Sequence, residues 1–161
     1  MATQVCSADH FWIQPDGSYK WEGARLPEAH AACMRKFIGL VKKENALGRV
    51  GLIPTQPQVT ILRGVPGSGK STFIKANPQL GIVVDNVSLH VADVAPYCAV
   101  AQAYGLSVKI ITIYCDPRKA GARNQHGVPP ERVVTMYDAL LQSDAKEYWP
   151  AWWDMARVVS E

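Results

Sequence analysis

The segment Gly64-Val65-Pro66-Gly67-Ser68-Gly69-Lys70-Ser71 fits the pattern G-x-x-x-x-G-K-S/T in full, and few short patterns constrain a chain so tightly. Its glycines let the backbone curl until successive N–H groups point inward, which makes a concave cradle for phosphate oxygens. The flanks suit that geometry. An apolar run, Val59 to Leu62, reads as a buried strand before the loop, and a short helix ending before Pro78 follows it. A helix that opens at the cradle adds the positive end of its dipole. Lys70 brings a full charge to the β- and γ-phosphates of a nucleotide, the Ser71 hydroxyl coordinates Mg²⁺, and Thr72 extends the cradle. ATP and Mg²⁺ are therefore the expected ligands.

The rest of the chain reads as one α/β domain over residues 1–161. Its 161 residues are 48% hydrophobic and 19% charged, which is enough apolar material for a single core. Val5 to Ala8 is predicted as a short strand ending at Asp9, and Pro15, Asp16 and Gly17 mark a turn. A helix is predicted from Pro27 to Glu44, with Leu26, His30, Cys33, Phe37 and Leu40 on one face. Residues 45–57, rich in glycine and proline, read as a linker. Ile82 to Val84 and Val108 to Ile113 read as further buried strands. Helices are predicted from Val94 to Tyr104, with Asp93 as cap and Gly105 as stop, and from Pro130 to Gln142. Asp116 to Pro129 reads as a polar, basic loop. Strands apolar throughout, alternating with helices, indicate a parallel sheet covered on both faces, hence a three-layer sandwich. The aromatic tail, residues 143–161, is expected to pack over a sheet edge or the linker.

A net charge of +3 permits a polyanionic partner without demanding one. The four cysteines form no C-x-x-C pair and read as buried, reduced thiols. The first residues lack the pattern of a signal peptide, and no stretch approaches a membrane span, so the expected location is cytoplasmic.

Asp85 ends the Ile82-Val83-Val84 strand, where a carboxylate completes a magnesium shell beside Ser71. Arg118, Lys119, Arg123 and His126, with Gly121 and Gly127 as hinges, read as a mobile cationic lid. The guanine-reading motif N-K-x-D of GTPase switches is absent, and the chain is short for a motor.

Further segments carry a resemblance. Arg123-Asn124-Gln125-His126-Gly127-Val128-Pro129 resembles the R-N-x-H-G-V-P segment of polynucleotide-kinase-like P-loop kinases, and Val84-Asp85-Asn86 resembles their third strand. Ser7-Ala8-Asp9-His10-Phe11, Gly17-Ser18-Tyr19, and Ala29-His30 with Cys33 resemble three more of their segments. In that family the S-A-D segment follows the P-loop, whereas here it precedes it, so the chain resembles a circularly permuted member. The resemblance covers most of residues 5–142. It implies that Asp9 is the general base and that Arg123 is a lid arginine. It also marks departures. His126 stands where a second lid arginine is found, His10 replaces a second acid, and Trp12 replaces an arginine that binds substrate phosphate.

An indole cannot grip phosphate but can stack on a base. Small permuted phage kinases of this kind phosphorylate 5-hydroxymethyluracil within DNA, and the chain resembles them. The implied activity is transfer of the γ-phosphate of ATP to a base hydroxymethyl group in DNA, with Asp9, His10, Trp12 and His126 on the acceptor side. A polynucleotide 5′-hydroxyl kinase and a non-catalytic, nucleotide-dependent DNA-binding module remain the alternatives.

Overall fold

Val59-Thr60-Ile61-Leu62-Arg63 is buried at every position, because this strand lies in the middle of the sheet with helices over both of its faces. The structure is a computed structural model that describes residues 3–47 and 57–161. Its strands are β1 (Gln4–Cys6), β2 (Val59–Arg63), β3 (Ile82–Asp85), β4 (Val108–Tyr114) and β5 (Asp154–Val159). They form one five-stranded sheet in the order β1-β3-β2-β4-β5 with every pairing parallel. The helices are α1 (Leu26–Ala46), α2 (Lys70–Ala76), α3 (Val91–Ala103), α4 (Pro117–Arg123) and α5 (Pro130–Lys146).

Alternation along the strands divides the core in two. On one face, Val59, Ile61, Val84 and Ile110 pack against Cys33, Phe37 and Val41 of α1 and Val94, Tyr97 and Cys98 of α3. On the other, Leu62, Val83, Ile111 and Ile113 meet Phe73 and Ile74 of α2. Helices thus cover both faces of an all-parallel sheet, as a three-layer α/β sandwich requires. The four cysteines are buried and free. Among the described residues no helix is long and apolar enough to cross a membrane.

Several elements differ from their expected form. Helix α1 starts at Leu26, with Pro27 in its first turn, and runs to Ala46. Its buried stripe is Ala29, Cys33, Phe37, Val41 and Glu44, while Leu26 and His30 are exposed. Ala29 faces inward because Ala8 and Trp12 pack against it. Most of the predicted linker, residues 48–56, lies outside the described residues. Helix α3 begins at Val91, three residues earlier than Val94: His90 is the cap and Asp93 the third residue, its carboxylate accepting the His90 N–H at 3.0 Å in a capping box. The basic loop contains α4, because Asp116 caps the Arg118 N–H at 2.8 Å and Pro117 opens the helix. The tail contributes β5, a half-exposed edge strand whose alternating exposure gives no apolar run to read.

The last residue of β2 holds these pieces together. Arg63 is fully buried. Its guanidinium donates to Ser88 O (2.8 Å), Leu89 O (2.8 Å), Thr112 Oγ1 (3.0 Å) and Asp144 Oδ1 (2.9 Å), and lies 4.1 Å from the centre of the Trp149 ring. The Tyr114 hydroxyl donates to the other Asp144 oxygen. A buried charge persists only when its donors are satisfied. Arg63→Ala should therefore lower unfolding free energy by about 3–5 kcal/mol in urea denaturation, since Asp144 loses its cationic partner and, among the described residues, keeps only the Tyr114 hydroxyl. A loss below about 1 kcal/mol would contradict this account of the network.

Candidate functional site

Parallel strands present all their C-terminal ends to one edge of the sheet, and the turns after them build the site. Ser7 and Asp9 follow β1, the glycine-rich loop follows β2, Asp85 ends β3, α4 follows β4, and Ser160 and Glu161 follow β5. Between them lies a cleft of about 1210 Å³, lined among others by Asp9, Lys70, Ser71, Asp85, Arg123 and His126.

The loop is shaped by its glycines and by what packs on it. Gly67 and Gly69 have φ of +79° and +104°, in the region that disfavours a Cβ. A Cβ on Gly67 would sit 2.1 Å from the Ala120 carbonyl oxygen, so α4 rests directly on the loop. Val65 and Pro66 are buried, Val65 beside Ala120 and Val133. The Gly64 N–H donates to Val87 O at 3.0 Å, joining the loop to the turn after β3. Ser68 Oγ is buried with no hydrogen-bond partner, whereas Ser71 and Thr72 are exposed at the start of α2. Lys70 Nζ donates to Gly64 O at 2.8 Å and approaches Val65 O at 3.4 Å, folding back across the loop.

The charges here are desolvated. Burial holds the Lys70 ammonium below its ordinary pKa, opposed by the nearby carboxylates of Asp85 and Asp9. Burial likewise pushes the Asp85 carboxyl up, and Lys70 pulls it down less strongly. Asp85 Oδ1 has no hydrogen-bond partner. A buried oxygen without a hydrogen-bond donor, in the same cleft as exposed Ser71, suits a cation. Among the described residues no cluster of three or more His, Cys, Asp or Glu side chains has metal-holding geometry. Mg²⁺ does not need one, because it takes one or two protein oxygens and keeps waters or substrate phosphates in its other positions.

Asp9 stands opposite, in a short 3-10 turn (Ala8–Trp12) capped by Ser7 Oγ, which accepts the Asp9 N–H at 3.2 Å. Asn86 anchors that turn: its Oδ1 accepts the Ala8 N–H at 2.9 Å, and its Nδ2 lies 3.5 Å from Cys33 Sγ. The Asp9 carboxylate accepts from the Tyr19 hydroxyl at 3.3 Å and lies 3.5 Å from His126 Nε2. His126, from the segment between α4 and α5, also packs its ring against Tyr19, with centroids 5.5 Å apart.

Arg123 reaches the cleft edge but is tied down. It donates to Gly67 O (2.7 Å), Ser160 Oγ (3.2 Å) and Glu161 O (3.1 Å), so the loop, α4 and the end of β5 meet in one guanidinium. The remaining predicted residues lie elsewhere. Arg118 is exposed on α4 and does not line the cleft. His10 is exposed beside Lys36 Nζ, 3.4 Å from its Nδ1, and burial together with that ammonium holds its pKa down. Trp12 is 2% exposed and packs edge-on against Phe11, leaving only a fraction of its surface to the cleft wall. Sequence reasoning missed the parts of Asn86, Ser160 and Arg63, since a hydrogen-bond partner distant in the chain leaves no local pattern.

No protein-family model and no curated protein matches this chain.

The raised Asp85 pKa has a stability consequence. The folded carboxyl binds its proton more tightly than the unfolded one, so stability falls as pH rises from the unfolded pKa to the folded pKa. Above that window the ionised Asp85 is a standing cost. Asp85→Asn should raise Tm at neutral pH in the ligand-free protein by about 3 °C, the shift that about 1 kcal/mol gives a chain of this size. The gain should vanish at pH 3, and a lower Tm at pH 7 would show that the Lys70 attraction outweighs burial.

Proposed function

We propose that this chain is a P-loop kinase, circularly permuted, that transfers the γ-phosphate of ATP to the hydroxymethyl group of 5-hydroxymethyluracil in DNA. The observation that carries the reading is the convergence of a glycine-rich loop, Lys70 and Asp85 with Asp9 in one cleft. The first three suit a nucleotide triphosphate, and a carboxylate across from them suits a hydroxyl that must lose a proton. The sheet order is compatible with permutation. β1 pairs only with β3, so its place does not depend on preceding β2 in the chain. Residues 3–47 would fill the same position if they followed α2, the order that the family resemblance implies.

In this reading the loop N–H groups and the N-terminus of α2 hold the phosphates. Lys70 leaves the loop carbonyls it now caps and neutralises the oxygens of the transferring group. Ser71 and Asp85 would hold Mg²⁺, which supplies further charge neutralisation along the phosphates. Asp9 takes the proton of the acceptor hydroxyl as its oxygen bonds to the γ-phosphorus, the bond to the bridging oxygen breaks, and ADP leaves. The Tyr19 hydroxyl orients the Asp9 carboxylate for this step. Arg123, bound to the loop at Gly67 O, would add a further positive charge beside the phosphates. A base inside a duplex must be flipped out or unpaired to enter the cleft.

The test uses γ-labelled ATP, Mg²⁺ and two 5′-phosphorylated oligonucleotides, one with internal 5-hydroxymethyluracil and one with thymine. Label is expected on the first alone. Asp9→Asn should reduce transfer by roughly a hundredfold or more, as loss of a general base does, while ATP still binds. Label on free 5′-hydroxyl ends instead would move the activity to end repair, and full activity of Asp9→Asn would remove Asp9 from the chemistry.

A further inference from the structure

We infer that Trp21, rather than Trp12, is the platform on which the acceptor's planar base stacks, and that it sets specificity for a heterocyclic ring over a phosphate. The inference rests on the kinase reading for what the ring is used for, but the ring site stands on its own geometry.

Trp12 and Trp21 make a tilted ring contact, their planes inclined at 59°. Trp12 is 2% exposed and Trp21 is 53% exposed, with ring centroids 6.4 Å apart. The inner indole backs the outer one. Beneath Trp21, a Cβ on Gly23 would meet its Cη2 at 2.6 Å and its Cζ2 at 3.1 Å, so the ring lies against the bare Cα of that glycine. The loop that carries it is braced. Lys20 N–H donates to Trp12 O at 2.9 Å, Gln14 N–H donates to Ser18 O at 2.8 Å, and Asp16 Oδ1 accepts from both the N–H and the hydroxyl of Ser18. An exposed indole backed by an aromatic and a glycine on a braced loop is a preorganised surface. It lines the same cleft as Asp9, and Tyr19, two residues before it, touches the Asp9 carboxylate.

Charge selects the occupant. The described residues from Ala8 to Met34 that line the cleft include Trp12, Tyr19, Trp21 and His30 but no lysine or arginine. The cationic lining residues lie on other walls: Lys70 and Lys75 on α2, Arg123 and Arg132 on the lid side. Lys20, close in sequence, is paired with Glu22 at 3.3 Å, and His126 faces the Asp9 carboxylate. An acceptor held by a phosphate next to its reacting hydroxyl needs a cation on the wall that carries Asp9. This wall offers π-faces, which bind bases of any sequence by stacking.

The experiment compares binding of a 5′-phosphorylated oligothymidylate with an abasic strand of the same length, read by tryptophan emission or anisotropy. Wild-type protein should prefer the strand with bases by on the order of tenfold, the usual effect of one stacked base. Trp21→Ala should lose that preference, Trp21→Phe should retain part of it, and Gly23→Ala, which pushes the indole aside without removing it, should weaken it. Equal affinity of wild-type protein for both strands, or a preference undiminished in Trp21→Ala, would overturn the inference. A wild-type protein that prefers bases yet transfers no phosphate would sink the kinase reading and leave the ring platform standing.

Discussion

A guanidinium buried at the end of the central strand is the constraint on which the site depends. Arg63 cannot lie in the core without acceptors for its N–H groups. It takes two from the main chain of the turn after β3, one from β4 and one from α5. That choice fixes the turn, including Ser88, whose φ of +53° is the only positive value for a non-glycine among the described residues. The same turn offers Val87 O to the Gly64 N–H, the first residue of the glycine-rich loop. A single buried charge thus sets the height of the loop against the sheet and draws α5 and Trp149 over the same strand end.

The loop is then shaped from the other side. α4 presses the Ala120 carbonyl against Gly67, and Arg123 at the end of that helix binds Gly67 O. Held from both sides, the loop has its curvature set by the protein's own contacts, which lowers the ordering cost of binding. The charges tell the complementary story. Lys70 and Asp85 each sit where burial opposes ionisation, and Asp85 Oδ1 and Ser68 Oγ lack partners. Polar groups left short of partners in a folded chain are stabilised when a ligand supplies the missing charge or donor. The cleft's own charges thus oppose burial while its backbone is held sterically, which is the arrangement of a preorganised site.

What the chain discloses in one dimension follows from the range of each interaction. The eight-residue loop pattern, the apolar runs of β2, β3 and β4, and the proline that opens α5 are local, and they stand in the structure where the sequence puts them. β5 was not legible because an edge strand with alternating exposure lacks an apolar run, and α4 was not because a helix of seven residues has no period to show. Among site residues, Asp9, Lys70 and Asp85 converge as their positions at or after strand ends require, and His126 joins them from the segment after α4. Trp12, by contrast, was read by its chemistry alone. Its burial follows from Ala29, Ala8 and Phe11, partners that only folding brings around it.

The aromatic pair shows why residue type and role separate. A stacking surface needs one ring exposed to receive a base and another behind it to keep it from tilting into the core. Trp12 ends the 3-10 turn and is packed inward against Ala29 of α1, while Trp21 lies beyond the Asp16–Gly17 turn, where the chain has reversed. The reversal brings the second indole against the first at a tilt of 59°, two residues after Tyr19, whose hydroxyl reaches Asp9. Trp21 and Asp9 thus come from one short segment, 7–23, pinned to the sheet by Asn86 at the tip of β3. Because β3 also supplies Asp85, the two halves of the cleft share a strand, and their spacing is set by a backbone rather than by a lid.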